Sequence, residues 1–356
     1  METSSRALEA LEQRLGARWE AIGRARIKTE EILGSLCGAL EGLDDPDCAV
    51  VVTGSLGRGE ANDGSDADWI LLVDGPSDPS HARLHREIEQ KISKVVTKDV
   101  GRTGMFGEIV PSHDLVHYIA GSRDTNKNLT RRMLLLAESR ALTNPLVRQR
   151  VIRNVLSRYL NDRPVSHKRE PGHYDPIPYF LLNDVVRYWR TVASDYASKM
   201  WERDRDGWGI RNIKLRFSRK LLFVWGLVAT FSGKLFDDGS LQQSLTEDEF
   251  LLRLLEHICE QSERSPLELL ARVASHEQVQ PDTARKIFDA YDEFLGALAD
   301  PDTRRHLEEI PFDHPLSDDV YGRLRKSSSG FRNGINALFF DEHPQLPKLI
   351  RDFGVF

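Results

Sequence analysis

The chain has 356 residues, 40% of them hydrophobic, which is enough to bury two domain cores. Acidic residues outnumber basic ones by 55 to 49, and the net charge of -6 excludes general attraction to a polyanion and bulk DNA binding. Three cysteines, odd in number and widely spaced in apolar stretches, exclude a disulfide framework and a metal knuckle and predict reduced core residues: Cys37, Cys48 and Cys259.

Neither secretion nor membrane insertion is indicated by the apolar pattern. Residues 1–30 are charged throughout and lack the apolar centre of a signal peptide. The longest apolar run, residues 221–231, is far too short to span a bilayer. We therefore expect a cytoplasmic protein with no membrane partner.

The first part of the chain has an α/β pattern. Apolar residues at helical spacing over residues 5–42 predict two helices, with a break near residues 23–28. Apolar runs at 48–53 and 69–73 predict two buried strands. A helix is predicted over residues 79–94 and a third strand over 114–119, which gives a short mixed sheet with helices.

The remainder of the chain is predicted to be helical. The predicted helices are 129–142, 145–160, 177–203, 209–231, 247–260, 266–275 and 281–299. Residues 161–178 are rich in proline, glycine, histidine and charge and are the best linker candidate.

The segment VVTGSLGRGEANDGSDADWILLVD, residues 51–74, carries the chemistry. Residues two apart on a strand point to the same side, so Asp66 and Asp68 project together while Ala67 and Trp69 face the opposite layer. Two carboxylates this close repel each other unless a cation neutralises them, and hard oxygen ligands suit Mg²⁺ bound with substrate phosphates. Mg²⁺ is therefore the expected metal, with Mn²⁺ as an alternative.

A glycine turn precedes the two aspartates. Gly54 and Ser55 lie where a strand gives way to a turn or helix, so their backbone N–H groups and the serine hydroxyl can meet a phosphate. Arg58 can add a charge-assisted hydrogen bond, and Ser65 is included among the predicted nucleotide contacts. A lone Gly-Ser would be an ordinary turn, but the order and spacing of the whole segment favour a functional site.

Gly54-Ser55-x-x-Arg58 followed by Ser65-Asp66-Ala67-Asp68 and an apolar strand resembles the signature of the polymerase-β-type nucleotidyltransferase superfamily. The arginine three residues after the serine is similar to the branch of bacterial uridylyltransferases that modify nitrogen-signalling proteins. The resemblance implies that the Gly-Ser turn holds the β- and γ-phosphates and that the aspartates hold the metals. The change of pattern and the linker candidate predict a nucleotidyltransferase domain with leading helices over residues 1–160 and a helical domain over 161–356, although the helices at 129–160 could belong to either side.

The superfamily usually has a third carboxylate on a neighbouring strand. Asp114 is the preferred residue because it begins the predicted strand after a polar turn, which is the geometry that a metal site needs. Glu108 is the alternative. Asp114 is expected to bind metal and is also a candidate general base.

A basic helix is predicted at residues 209–231. Its cations are Arg211, Lys214, Arg216, Arg219 and Lys220, opposite an apolar side of Ile213, Phe217 and Leu221. Lys214 is the predicted nucleotide contact, and a solvated basic face is the alternative. A smaller basic cluster, Lys127, Arg131 and Arg132, has the same two interpretations.

Zinc is not expected from the histidine spacing. His81 and His85 are four apart on a predicted helix, but the glutamate of a zinc hydrolase motif does not follow His81.

The leading functional hypothesis is transfer of an NMP from an NTP, ATP included, to an acceptor hydroxyl with release of pyrophosphate. The acceptor is a protein, RNA, a nucleotide or a small molecule. The alternative is a catalytically weak nucleotide sensor or toxin–antitoxin partner, against which the intact Asp66 and Asp68 pair argues.

Overall fold

A computed structural model describes residues 6–96, 104–161, 175–202, 204–237, 239–243, 246–312 and 317–354. The chain forms two compact units. The sheet unit comprises Arg26–Asp184 and Phe236–Ser265, and the helical unit comprises Met1–Ala25, Val185–Leu235 and Pro266–Phe356. The domain boundary predicted at residue 160 stays a prediction, and most of the predicted linker at 161–178 lies outside the described residues.

The sheet unit is built on four strands in the order β3-β2-β1-β4: β1 (Cys48–Val52), β2 (Trp69–Val73), β3 (Glu108–Pro111) and β4 (Arg140–Ala141). β1 is antiparallel to β2, with Val52 opposite Trp69, and antiparallel to β4. β2 and β3 are parallel, with Ile70 opposite Glu108. The sheet is therefore small and mixed, as predicted.

Helices cover this sheet and extend beyond it. The helices that lie wholly or partly in the sheet unit are α2 (Glu20–Leu40), α3 (Gly54–Arg58), α4 (Ser80–Val95), α5 (Ser112–Val116), α6 (Asn126–Ala137), α7 (Pro145–Asn161), α8 (Tyr179–Glu202) and α11 (Glu247–Ser262). One face of the sheet packs in a core with α2 and α4, whose apolar residues recur at helical spacing. Ala67, Trp69 and Leu71 all belong to that core.

Two sequence predictions in this region are wrong. The third strand is Glu108–Pro111, and the residues predicted as a strand at 114–119 begin instead within helix α5. The apolar pattern of residues 114–119 suits a short buried helix as well as a strand, because periodicity does not separate the two over so few residues. The break between the first helices falls at residues 16–19, where Gly16 has a φ of 58°, rather than at 23–28.

The remaining elements belong wholly or partly to the helical unit. They are α1 (Arg6–Leu15), α9 (Trp208–Lys214), α10 (Lys220–Leu235), α12 (Pro266–Ala274), α13 (Pro281–Ala299), α14 (Pro301–Glu309), α15 (Asp319–Ala337) and α16 (Leu346–Leu349). Helix α13 packs along α15, and α12 packs on both α1 and α10. The predicted mostly helical second region is confirmed.

The predicted basic helix is interrupted by a π-helical turn at Leu215–Arg219, between α9 and α10. Its apolar side is confirmed, since Ile213, Phe217 and Leu221 are fully buried. Within the part of the chain that the structure describes, no helix is long and apolar enough to cross a bilayer. The three cysteines are unpaired; Cys48 is buried as predicted, whereas Cys37 is exposed.

Candidate active site

The turn after β1 is tied to the start of β2. The backbone N–H of Thr53 donates to the carbonyl oxygen of Asp68 at 2.8 Å, which continues the antiparallel pairing of the two strands by one residue. Gly54 then begins α3 with a φ of 67°, a left-handed conformation that favours glycine. Because Gly54 and Asp68 both adjoin this hydrogen-bonded end of the β1–β2 pair, the pairing of the two strands fixes their relative positions.

The Asp68 carboxylate lies directly against the glycine. A Cβ atom at residue 54 would lie 3.0 Å from Asp68 Oδ2, closer than an ordinary van der Waals contact. The structure thus brings together the glycine turn and one of the two predicted metal carboxylates. The space that the missing side chain leaves is next to a carboxylate oxygen.

Asp66 and Ser65 lie in the loop that precedes β2. Ala67 and Trp69 are buried in the core, so Asp68 is on the opposite side of the chain, as the alternation predicted. The Ser65 hydroxyl accepts a hydrogen bond from the Asn62 backbone N–H at 3.0 Å and thereby closes the loop. The structure therefore gives Ser65 a part in shaping the loop that carries Asp66.

Arg58 lies between two carboxylates. Its Nε donates to Glu60 Oε2 at 2.6 Å, and its Nη1 donates to Glu138 Oε2. All three side chains are buried. Glu138 Oε1 also accepts from the Gly54 backbone N–H at 3.2 Å, so Arg58 and Glu138 together hold the start of α3.

Sequence reasoning missed Glu138 and Gly57. A Cβ atom at residue 57 would lie 1.7 Å from the Glu138 carbonyl oxygen, so only glycine allows the chain at Glu138 to approach α3 this closely. No local pattern connects the two residues, which are far apart in sequence. The repeated glycines at 54, 57 and 59 are the one signal that a backbone packs closely against this turn.

Glu108 occupies the first position of β3, opposite Ile70 on β2. Parallel partners share a face of the sheet, and Ile70 is two residues from Asp68, so Glu108 and Asp68 lie on the same face at the same end. Glu108 Oε2 accepts from Lys127 Nζ at 2.8 Å and from Arg131 Nη2 at 2.9 Å. The hydrogen bond from Lys127, aided by Arg131, lowers the pKa of the Glu108 carboxyl, which keeps it charged.

Asp114 lies elsewhere. It belongs to α5, which follows the far end of β3, and the neighbouring Ser112 hydroxyl donates to Asp74 Oδ1 at 2.6 Å, just past the end of β2. Five residues of strand β2 lie between Asp68 and that end, which corresponds to roughly 20 Å at the rise of a strand. The preference for Asp114 rests on a strand predicted to begin at this residue, and that prediction is wrong.

The two basic clusters differ in their surroundings. Arg132 is fully buried and pairs with Asp124 and Asp184, which makes it a core residue, whereas Lys127 and Arg131 contact Glu108. Lys214 is the last residue of α9 in the helical unit, and its predicted contact with nucleotide stays a prediction.

The three candidate ligands share one donor chemistry, but among the described residues their oxygens do not all lie within 4.8 Å of one another. Asp66, Asp68 and Glu108 offer only carboxylate oxygens, which Mg²⁺ and Mn²⁺ prefer. The second oxygen of Glu108, Oε1, accepts no hydrogen bond from a residue within the described ranges, so it can serve as a ligand while Oε2 remains paired.

Comparison with known protein families gives a match to part of the chain. Residues 36–111, which run from the end of α2 through β3, match the family model of the nucleotidyltransferase domain. This segment is therefore similar to the nucleotidyltransferase domain of the polymerase-β-type superfamily. No curated protein and no solved structure matches the chain significantly.

Proposed function

We propose that this protein transfers an NMP from an NTP to an acceptor hydroxyl and releases pyrophosphate. The observation that supports the proposal is the contact of the Gly54 turn with the Asp68 carboxylate, because a turn that suits a phosphate then lies beside a carboxylate that suits a metal. The nucleotidyltransferase domain at residues 36–111 supports the same reaction class. ATP is one candidate among the NTPs.

Three carboxylates are the metal ligands in this proposal. Asp66, Asp68 and Glu108 would hold two divalent cations, Mg²⁺ or Mn²⁺, which would supply positive charge to stabilise the transition state of the transfer. Glu108 replaces Asp114 as the third ligand because its register places it on the Asp68 face. Lys127 and Arg131 keep Glu108 ionised and orient it.

The chain's other residues position the triphosphate. The Ser55 hydroxyl meets the β- and γ-phosphates, and the absence of a side chain at Gly54, whose own N–H donates to Glu138, gives the phosphate access. Arg58 acts indirectly by holding Glu138 and the start of α3, and Ser65 acts by closing the Asp66 loop. A bond forms between the acceptor oxygen and the α-phosphorus, the bond to the β-phosphate oxygen breaks, and the hydroxyl proton passes to a base or to solvent.

Incubating the full chain with each α-labelled NTP, Mg²⁺ and a cell lysate tests the proposal. We expect label to enter one class of acceptor, namely protein, RNA, nucleotide or small molecule, and this class identifies the acceptor. Asp68→Asn should abolish the transfer, whereas Asp63→Asn, a matched change at an exposed residue of the same loop, should not. Absence of transfer from every NTP, or equal transfer by Asp68→Asn, would contradict the proposed activity and favour a nucleotide sensor.

A further inference from the structure

A second group of metal-ligating side chains lies in the sheet unit. Asp45, Cys48 and His81 each offer one ligand atom, and these atoms all lie within 4.8 Å of one another. Asp45 lies in the loop before β1, Cys48 is the first residue of β1, and His81 lies in the first turn of α4. Three separate elements therefore converge on one point.

This cluster is remote from the predicted Mg²⁺ carboxylates. Cys48 pairs with Val73 at one end of the β1–β2 ladder, whereas Val52 pairs with Trp69 at the other, next to Asp68. The two ends of this five-residue strand are roughly 13 Å apart. The cluster is thus a distinct site and not an extension of the first one.

Burial and bonding favour a ligand at this cluster. Cys48 is 2% exposed and His81 is 8% exposed. Asp45 is held in place, because its Oδ1 accepts from the Asp47 backbone N–H at 2.9 Å and its carbonyl oxygen accepts from Asn144 Nδ2 at 3.0 Å.

The local charge also favours a cation. The carboxylates of Asp45 and Asp47 both lie close to the Cys48 thiol. Asp78 adds negative charge close to His81. A divalent cation would neutralise the negative charge of these carboxylates. It would also replace the thiol proton of Cys48, which would pass to solvent as the bond from Sγ to the metal forms.

We propose that Asp45, Cys48 and His81 bind Zn²⁺ with water as the fourth ligand, and that the ion joins the loop before β1 to the start of α4. One thiolate, one imidazole and one carboxylate form a donor set that zinc accepts in tetrahedral geometry. Bonds of about 2.0–2.3 Å place such ligand atoms about 3.5 Å apart, so the three side chains need to close by about 1 Å. The spacing of residues 45, 48 and 81 matches no zinc motif, which is why the sequence predicts no zinc.

Cobalt substitution tests the proposal independently of any enzymatic activity. The full chain is freed of metal with a chelator and titrated with Co²⁺ while the near-ultraviolet band of a cobalt–thiolate bond is recorded. We expect the band to saturate at one equivalent and to disappear when Zn²⁺ is added. Cys48→Ser should abolish the band, whereas Cys37→Ser, which removes an exposed thiol, should keep it. Asp68→Asn should also keep the band, because it changes only the other site.

His81→Gln provides a second measurement that does not depend on Cys48→Ser folding correctly. Loss of one ligand should weaken Co²⁺ binding at least about tenfold, with an unchanged circular dichroism spectrum in the absence of metal. No thiolate band in the wild-type chain, a band that persists in Cys48→Ser, or unchanged affinity in His81→Gln would overturn the proposed zinc site.

Discussion

Asp68 Oδ2 lies 3.0 Å from the position that a Cβ atom would occupy at Gly54. Gly54 also has a φ of 67°, so a substitution there is strained by the backbone as well as by the carboxylate. Gly59 has a φ of 77°, but a Cβ atom there would meet only side-chain atoms at 3.6 Å or more. The two glycines therefore share one kind of strain and differ in what surrounds them.

We predict that Gly54→Ala lowers kcat/KM for NTP by about 100-fold or more, because it displaces Asp68 or blocks the phosphate. Both substitutions should lower the free energy of unfolding by about 1–2 kcal/mol, because both glycines have a positive φ. Gly59→Ala, however, should leave kcat/KM close to the wild-type value. Steady-state kinetics and thermal unfolding of both variants separate the two effects. Equal losses of activity would show that backbone strain, not the Asp68 contact, is responsible.

A comparison of Glu108→Gln with Asp114→Asn tests which residue is the third metal ligand. We expect Glu108→Gln to reduce nucleotidyl transfer by about 100-fold or more, since the loss of a metal ligand removes several kcal/mol of transition-state stabilisation. Asp114→Asn should transfer nucleotide at nearly the wild-type rate because α5 lies at the other end of β3. Isothermal titration with Mn²⁺ in the presence of NTP gives an independent measure. The reverse pattern would restore Asp114 as the ligand.

Arg58→Met should destabilise the sheet unit strongly. It leaves the buried carboxylates of Glu60 and Glu138 without their shared cation, a change that typically costs about 3–5 kcal/mol. Arg140→Met, which breaks a partly exposed ion pair with Glu30, should cost about 1 kcal/mol or less. Urea unfolding of both variants measures the difference. If Arg58→Met weakened NTP binding with no change in stability, Arg58 would be a direct phosphate ligand instead.

His343 is expected to make the helical unit sensitive to acid. Its Nδ1 accepts from the backbone N–H groups of Gln345 and Leu346 at 3.2 and 3.3 Å, which requires the unprotonated ring. Burial, together with His276, lowers the His343 pKa from 6.5 to about 4. Between these values the unfolded chain binds more protons than the folded one, so stability falls as the pH falls from 6.5 to 4.

His343→Asn tests this expectation because asparagine offers an oxygen acceptor that does not titrate. The variant should lose less stability than the wild type between pH 6.5 and 4, as measured by thermal unfolding. An NMR titration of the wild-type imidazole should give a pKa well below 6.5. A His343 that titrates at its ordinary pKa would rule out this source of acid sensitivity.

Lys214 is the predicted nucleotide contact in the helical unit. Lys214→Gln should raise KM for NTP, and the increase should shrink as salt concentration rises, because contacts between charges are screened. Lys286→Gln, at an exposed position on α13, is the matched control and should leave KM unchanged. An unchanged KM in Lys214→Gln at low salt would make this residue part of a solvated basic face.

The local patterns of this sequence predicted most of its elements. The apolar runs predicted β1 and β2, and the predicted helices at 145–160 and 281–299 agree with α7 and α13 to within a residue. The proximity of the glycine turn to Asp68 could be predicted because both flank a pair of strands that lie within about 25 residues of each other in sequence. Over such a short segment, strand alternation and turn residues can be recognised from the local sequence. The mostly helical second region followed from its periodicity.

Only the tertiary structure decided which distant residues meet these local features. The register of β3 against β2, and not any pattern within β3, places Glu108 on the Asp68 face and α5 at the opposite end. Glu138 reaches Arg58 and Gly54 across about 80 residues of chain, and His81 reaches Cys48 across the sheet core. Such contacts depend on how strands and helices that are far apart in sequence pack together, and periodicity within a short window does not encode this packing.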